Sequence, residues 1–286
     1  MQRESVKIEI FSDVRMAHGE GPIWNSEKEE LWLTSVRDNK IHCLTMVGAT
    51  KCHRVLPQKC RSMFFSRNSM YVALEDGVYR VAGDETIPFS TTHVVDTGFL
   101  NDGKVGPDGR FYVGQGDVPA GNGRFFRLER DGSFHSLFEG QMLSNGLAWS
   151  PQGTALYHTD TRKKRIDVYD FDAETGTLSS PRLAFDLEGK AGEPDGFTID
   201  EEGCLWVCMM RGGNLLRIDP VCGKLLDRCR MPVTTPTSCA FAGPKMDYLV
   251  ITTSSAVKDL SEEPLAGFTL ACRPGVRGPA PNLFLD

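Results

Sequence analysis

Four polar side chains stand directly in front of short apolar runs, where a strand would be expected to enter a buried interior. They are Glu20 in GEGPIW, Asn101 in NDGKV, Asn145 in SNGLAWS and Asp195 in PDGFTID. Carboxylate and carboxamide oxygens are hard ligands, and a group of them suits a divalent cation such as Ca²⁺, Mg²⁺ or Mn²⁺. Burying Glu20 and Asp195 together without a cation would be costly, because both would lose hydration and would repel each other. If these side chains meet, they predict a metal site.

Taken one at a time, the same residues have a simpler explanation. Asn, Asp and Glu are common at turns, where their side chains bond to nearby backbone groups, and each of the four could do no more than that. The metal site requires residues far apart in sequence to converge. A fold that repeats one structural unit around an axis would bring them together.

The chain contains such a repeat, in which a short apolar strand, a polar or Gly/Pro turn and a second alternating strand follow one another. The copies are GPIWNSEKEELWLT (21–34), a weaker RSMFFSRNSMYVAL (61–74), NDGKVGPDGRFYVG (101–114), NGLAWSPQGTALYHTD (145–160), PDGFTIDEEGCLWVC (194–208) and TSCAFAGPKMDYLVIT (237–252). The period of roughly 40–50 residues is the length of one propeller blade. No segment sustains the apolar spacing of a helix over three turns.

The repeat predicts an all-β protein in which residues 1–286 form a single six-bladed β-propeller domain. In such a ring the first strand of each blade lines a central channel, so the four polar residues would surround one mouth of it. The early segment VKIEIF is expected to pair beside GFTLACRP in the last blade and so close the ring without a free edge.

Composition excludes several classes of function. The chain has 286 residues, of which 40% are hydrophobic, and its net charge of −6 argues against a nucleic-acid surface. No apolar run approaches the ~20 residues that cross a bilayer, and no signal-peptide pattern is found. Nine cysteines at irregular spacings favour reduced thiols, so we expect a cytoplasmic protein without membrane or nucleic-acid partners. A monomer or weak homo-oligomer is expected.

The motifs GEGPIW, NDGKV, SNGLAWS, PDG before a strand and the closing GVRG, in this order over about residues 15 to 280, resemble the family of senescence marker protein, gluconolactonases and luciferin-regenerating enzymes. The resemblance implies a six-bladed propeller with one divalent cation at the channel mouth and hydrolysis of sugar lactones. It assigns Glu20, Asn145 and Asp195 as metal ligands and places Asn101 against substrate or a metal-bound water. Ca²⁺ is the first choice of ion, with Zn²⁺, Mn²⁺, Mg²⁺ and Fe²⁺ as alternatives, because oxygen ligands do not separate them.

Two positions depart from what the resemblance implies. Phe99 stands where many relatives place a substrate-holding arginine, and a phenylalanine offers no hydrogen-bond donor. Gly114–Gly116 reads GQG where relatives often read GTM. These changes predict an altered pocket for a less polar or differently shaped lactone, unless Gln115 replaces the missing polar contact. His158 and Asp160, on the strand after Asn145, are further candidates for substrate contact, with blade stabilisation as the alternative for Asp160.

The sequence therefore predicts a metal-dependent lactonase, a hydrolase of carboxylic ester bonds that acts on a small lactone in carbohydrate metabolism. The cation would polarise the ester carbonyl, and Asp195 is the candidate general base toward the attacking water. Two alternatives remain open: a non-catalytic propeller that binds a metal or small ligand, and a related hydrolase of other esters or phosphotriesters.

Overall fold

The fold is a ring of six four-stranded antiparallel sheets. The computed structural model describes residues 6–91, 98–256 and 259–286. Each of the first five blades uses four consecutive strands, whereas the sixth combines three late strands with the first strand of the chain. The predicted six-bladed all-β propeller is confirmed.

The strand bounds follow the predicted repeat. Blade 1 comprises β2 (Gly19–Asn25), β3 (Glu30–Ser35), β4 (Lys40–Leu44) and β5 (Thr50–Val55), and blade 2 comprises β6 (Ser62–Phe65), β7 (Met70–Ala73), β8 (Gly77–Ala82) and β9 (Glu85–Thr91). Blade 3 comprises β10 (Phe99–Val105), β11 (Phe111–Gly116), β12 (Gly123–Leu128) and β13 (Phe134–Gln141), and blade 4 comprises β14 (Ser144–Trp149), β15 (Ala155–Asp160), β16 (Arg165–Asp172) and β17 (Thr177–Asp186). Blade 5 comprises β18 (Glu193–Ile199), β19 (Leu205–Met210), β20 (Asn214–Asp219) and β21 (Lys224–Arg230), and blade 6 comprises β22 (Pro236–Ala242), β23 (Tyr248–Thr253), β24 (Thr269–Cys272) and β1 (Glu9–Ser12).

Within the described ranges, helical structure is limited to the 3₁₀ turns Val36–Asp38 and Thr161–Lys163. No helix in that part of the chain is long and apolar enough to cross a membrane.

The first strand of each blade lies at the centre of the ring. These strands contact one another in a closed circle, from β2 to β6, β10, β14, β18, β22 and back to β2. They are mainly buried, and all six residues of β14 are, whereas the outermost strand β5 is largely exposed. The six inner strands therefore surround the channel predicted from the sequence.

Apolar side chains fill the wedges between neighbouring blades. Between blades 2 and 3, Phe64 stacks on Phe111 with ring centroids 4.0 Å apart. Between blades 4 and 5, Phe197 and Val207 pack against Tyr157. Burial of aromatic surface on this scale is the main stabilising contribution, and it fixes the angle between adjacent blades.

The ring closes through β1, which pairs antiparallel with β24 in the register Glu9 to Ala271. This confirms the predicted pairing of the early strand with the last blade. Phe11 of β1 is buried and lies edge-on to Tyr248 of β23, with centroids 6.5 Å apart.

A second closure is made by the C-terminal tail, residues 273–286, which the sequence did not predict. It crosses the channel mouth at the far ends of the inner strands. Hydrogen bonds join it to several blades: Gly278 N to Met246 O, Glu201 N to Arg277 O and Asn282 Nδ2 to Val105 O. Its Phe284 is buried among aromatic rings of blade 2. The tail ties blades 2, 3, 5 and 6 together.

Candidate functional site

Beta-bulges set the direction of the polar side chains at the other mouth of the channel. The inner strands lose register with their neighbours at Glu20–Ile23 in β2, Leu100–Gly103 in β10, Asn145–Leu147 in β14, Pro194–Phe197 in β18 and Pro236–Cys239 in β22. Strand β6 pairs regularly with β7. A bulge adds an unpaired residue and re-aims its side chain. The predicted polar residues fall at these bulges.

A glycine after the polar residue allows the close packing of inner strands in blades 4 and 5. A β-carbon on Gly146 would lie 2.1 Å from the ring of Phe197 and 2.7 Å from the carbonyl oxygen of Asp195. Both distances are well below van der Waals contact. The Asn-Gly pair of β14 therefore combines a ligand-type side chain with the space that its neighbouring strand requires.

Two carboxylates meet at this mouth. Glu20 is 8% exposed and Asp195 is 3% exposed. Burial, followed by the charges of Asp195 and Asp102, raises the pKa of Glu20 well above its usual value. The pKa of Asp195 is also raised well above its usual value, first by burial and then by Asp102. Without a cation, both carboxyl groups therefore resist ionisation, because each charge would be buried beside another carboxylate.

Asn145 lies beside Asp195 and is rigidly held. Its side chain hydrogen-bonds to Asp195, which favours the ionised carboxylate. Its Nδ2 also donates to Thr161 Oγ1 over 3.0 Å, and that hydroxyl donates to Pro194 O over 2.8 Å. This chain of bonds joins blades 4 and 5 and fixes the position of Asn145 relative to Asp195.

Asn101 belongs to the same mouth, one blade before Asn145. Its Nδ2 donates to Ser144 O over 2.7 Å, and its own carbonyl accepts from Ser62 Oγ over 2.8 Å. Because the amide group is planar, the bond to Ser144 fixes the direction of the amide oxygen. The structure thus brings all four predicted channel-mouth residues to one end of the channel.

Asp102 is a buried carboxylate that the sequence reasoning missed. It is 6% exposed, its Oδ2 has no hydrogen-bond partner among the described residues, and its charge acts on both Glu20 and Asp195. Lys104, two residues on, donates to Phe197 O over 2.6 Å and counters the rise in the pKa of Asp102. Both residues line a cavity of about 200 Å³ that extends to tail residues 279–282. Asp102 therefore lies between the candidate site and the tail.

His18 is a second residue that was missed, although it stands two positions before Glu20. Its Nδ1 is 3.0 Å from Ser254 Oγ, and its Nε2 is 3.7 Å from Glu20 Oε1. Burial, with the charges of Arg37 and Arg61, lowers the pKa of His18 to about 4. The ring is therefore neutral at physiological pH and does not form an ion pair with Glu20.

Arg61 is a third omission. It opens the weak second copy of the repeat, which was the available signal, and its guanidinium carbon lies 4.0 Å from the centre of the Phe99 ring. The predicted substrate position Phe99 is thus the platform for an arginine from the neighbouring blade.

The remaining predicted contacts lie inside blades. Gln115 is fully buried and accepts from Arg124 N through Oε1, while its Nε2 has no hydrogen-bond partner among the described residues. The His158 ring is 2% exposed, lies 2.7 Å from Ser144 Oγ and packs edge-on against Phe125. Substrate contact by Gln115 stays a prediction, and the surroundings of His158 favour packing over contact with a ligand.

Asp160 fits the structural alternative raised for it. Its carboxylate accepts hydrogen bonds from the backbone N–H groups of Met142, Leu143 and Arg162. These bonds cap the 3₁₀ turn Thr161–Lys163 and hold the segment that leads into β14.

The donor set at the mouth fits a divalent cation. Glu20, Asn145 and Asp195 offer hard oxygen ligands of net charge −2 when both carboxylates are ionised, and the repulsion between them is what a cation would relieve. Only two of these three candidate ligands, Glu20 and Asp195, are acidic, and the third is an amide. Among the described residues, no group of three or more His, Cys, Asp or Glu side chains has a metal-binding arrangement.

A six-bladed propeller whose inner strands carry a group of oxygen-bearing side chains defines a class of proteins. Similarity to known proteins identifies the family within that class. Residues 18–255 match the model of the SMP-30/Gluconolactonase/LRE-like region. The chain therefore belongs to the SMP-30/gluconolactonase/LRE-like family, as the resemblance implied.

Individual proteins of known sequence or structure are similar to this chain over nearly its full length. Regucalcin of Xenopus laevis is 31% identical over 298 residues, covering 98% of this chain and 99% of that protein. A luciferin-regenerating enzyme structure superposes with a TM-score of 0.90 at 26% identity, covering 98% of this chain and 99% of that one. A regucalcin from Agrobacterium tumefaciens, described as a calcium-binding protein, superposes with a TM-score of 0.92 at 24% identity, covering 99% and 98%.

Proposed function

We propose that this protein is a metal-dependent hydrolase that opens the ring of a small lactone at the bulged mouth of its channel. The observation that carries the proposal is the convergence of Glu20 and Asp195, two buried and mutually repelling carboxylates, beside Asn145. Membership of a family that includes gluconolactonases supports the reaction class.

Glu20, Asn145 and Asp195 would hold the cation. When bound, a divalent cation supplies Lewis-acid polarisation of an ester carbonyl and lowers the pKa of a nearby water. Ca²⁺ is the proposed ion, since the regucalcin from Agrobacterium tumefaciens is described as calcium-binding.

The protein's own groups position the reactants. Asn101 presents an amide whose orientation is fixed by Ser144 O, so it would orient a substrate oxygen or the attacking water. Asp195 would accept the proton that this water loses, with Asn145 holding the carboxylate in place. Attack at the acyl carbon followed by cleavage of the ring C–O bond yields a hydroxy acid, and the proton is returned to the ring oxygen.

Acid release from a lactone panel tests the proposal. We expect the Ca²⁺-loaded protein to release acid from at least one lactone, and a chelator to abolish the release. Asp195→Ala and Asn145→Ala should each lower kcat by at least ~100-fold, because each removes a ligand of the site, while circular dichroism and the melting temperature show a folded propeller. Full activity in both variants would place the chemistry elsewhere. Cation binding without hydrolysis of any ester would instead favour a non-catalytic binding propeller.

A further inference from the structure

Arg61 enters the ring at the front of β6, the inner strand without a bulge, next to the Glu20 segment. Its carbonyl oxygen lies 2.7 Å from the point that a β-carbon on Gly21 would occupy. Its charge also lowers the pKa of both Glu20 and His18. The Arg61 guanidinium therefore lies at the edge of the candidate site, in blade 2, whose inner strand, like that of blade 6, supplies none of the predicted metal or substrate residues.

The guanidinium is stacked against an aromatic ring and makes one long ion pair. It lies over the face of Phe99, with its carbon 4.0 Å from the ring centre, and its side chain is 15% exposed. Nη2 is 3.9 Å from Glu75 Oε1, too long for a hydrogen bond. Nη1 is buried, and none of the described residues accepts a hydrogen bond from it. A buried guanidinium nitrogen without an acceptor is costly, and the cost is recovered when a ligand oxygen occupies that position.

Phe99 is itself fixed by its neighbour across the strand pair. Phe99 lies opposite Gly116, and a β-carbon at Gly116 would be 2.5 Å from the ring. Only glycine therefore leaves room for the ring in this position. Three residues therefore pack as one unit: the space beside Gly116 holds the ring of Phe99, and the guanidinium of Arg61 stacks on that ring.

We propose that Arg61 is the specificity-determining residue of this site and that it donates hydrogen bonds to the hydroxyl or carbonyl oxygens of a polyhydroxylated lactone. This inference rests on the proposed lactonase function. Phe99 acts as its positioning residue by cation–π stacking, without touching the polar part of the substrate. The expected preference is therefore for oxygen-rich lactones, the reverse of the preference that Phe99 alone suggests.

Arg61→Met tests this role, because it keeps the length and packing of the side chain and removes every donor. For glucono-δ-lactone, kcat/KM should fall about 10- to 100-fold, the effect of losing a hydrogen bond to a charged donor. For δ-valerolactone, which lacks hydroxyl groups, it should change by less than about threefold. Arg61→Lys should recover only part of the loss, since an ammonium lacks the planar fork of donors. Arg67→Met, an exposed arginine of the same blade, is the matched control and should leave both substrates unaffected.

In the activity assays, two outcomes would overturn the inference: a wild-type preference for δ-valerolactone, or an equal loss on both lactones in Arg61→Met. A binding measurement distinguishes failure of this inference from failure of the proposed function. Calorimetric titration of the Ca²⁺-loaded protein with glucitol, which cannot be hydrolysed, should show about 10-fold weaker affinity in Arg61→Met. The melting temperature rise caused by Ca²⁺ should be the same in variant and wild type. If no lactone is hydrolysed but this difference persists, the lactonase proposal fails and the role of Arg61 stands. Equal glucitol affinity in both proteins would refute the role of Arg61.

Phe99→Leu tests the platform. Leucine keeps an apolar side chain and removes the ring face, so we expect a smaller loss, of about 3- to 10-fold, on glucono-δ-lactone alone. An unchanged kcat/KM in this variant would show that Arg61 is positioned by other contacts.

Discussion

The buried carboxylates of Glu20 and Asp195 suit a cation site but lower the stability of the cation-free fold. Each is desolvated, and each is further destabilised by buried negative charge nearby. A fold without a ligand to bind would gain by neutralising one of them. At the scale of single residues, this conflict is the strongest sign of function.

Glu20→Gln should therefore stabilise the cation-free protein while removing the response to cations. We expect a gain of about 1–2 kcal/mol in the free energy of unfolding at mildly alkaline pH, because the neutral amide ends the repulsion with Asp195. Saturating Ca²⁺ should raise the melting temperature of the wild type, with about 2.7 kcal/mol of stabilisation at 100 times Kd, and should have little effect on the variant. Differential scanning calorimetry measures both.

The control for that variant is Glu27→Gln, an exposed change in the same blade, which should be neutral and should retain the full response to Ca²⁺. A less stable cation-free Glu20→Gln protein would show that Glu20 is structurally satisfied and would argue against the site.

Sequence reasoning selected candidate site residues that share a chemical type and a repeat position, and overlooked neighbouring residues that do not. Glu20, Asn145 and Asp195 carry oxygen ligands at equivalent points of the repeat. Asp102 was missed because simple alternation sends neighbouring side chains to opposite faces, and the bulge in β10 breaks that rule. Arg61 was missed because its copy of the repeat is the weakest and because a cation does not resemble a metal ligand.

At the scale of elements, the bulged inner strands and their glycines were the least predictable feature. Hairpin positions follow from local Gly, Pro, Asn and Asp signals, so the blades could be assigned from sequence. A bulge depends on how two strands pair after folding. The polar-Gly dipeptides of the sequence are only a weak signal for it. The contact between the Gly146 backbone and the Phe197 ring joins residues of different blades and has no local signal.

Blade 4 contains a buried imidazole that should make the stability of the protein depend on pH. Burial lowers the pKa of His158 to about 3, from 6.5 in the unfolded chain. Between these values the unfolded state binds a proton that the folded state does not, so the free energy of unfolding falls as pH falls. The slope is at most about 1.4 kcal/mol per pH unit. In His158→Gln this contribution disappears, and urea unfolding over that pH window should show a shallower dependence than in the wild type.

His135→Gln is the control, since His135 is exposed on the outermost strand, β13, of the neighbouring blade 3. If the pH dependence of His158→Gln were parallel to that of the wild type, the imidazole would not be held in its neutral form by the blade.

At the scale of the whole molecule, the tail acts as a strap across the mouth opposite the site. It was not predicted, because its residues form no named strand and are held by hydrogen bonds to several blades. A cavity lined by Asp102 and Lys104 extends to tail residues 279–282.

Phe284→Ala should loosen the strap and lower the stability of the molecule. The side chain is 1% exposed and contacts Phe64, Tyr71 and Phe89, so its loss leaves a cavity that costs about 3–5 kcal/mol. Leu283→Ala, with a side chain that is 38% exposed, should cost less than about 1 kcal/mol. Chemical denaturation measures the difference, and equal effects would contradict the role assigned to the tail. Activity per folded molecule should not change in either variant.

The pairing of β1 with β24 also orders events while the chain is being synthesised. Blades 1 to 5 use neighbouring strands and can form one after another as they leave the ribosome, but β1 is made first and its partner is among the last strands made. Until then the nascent chain carries an unpaired early strand and, later, an open edge on β23, both of which can pair with other chains. A nascent chain stalled before residue 269 therefore forms a nearly complete ring that cannot close, because the partner strand of β1 is missing. Slow synthesis should favour aggregation at that stage, and overproduction of this protein should benefit from chaperones that shield strand edges.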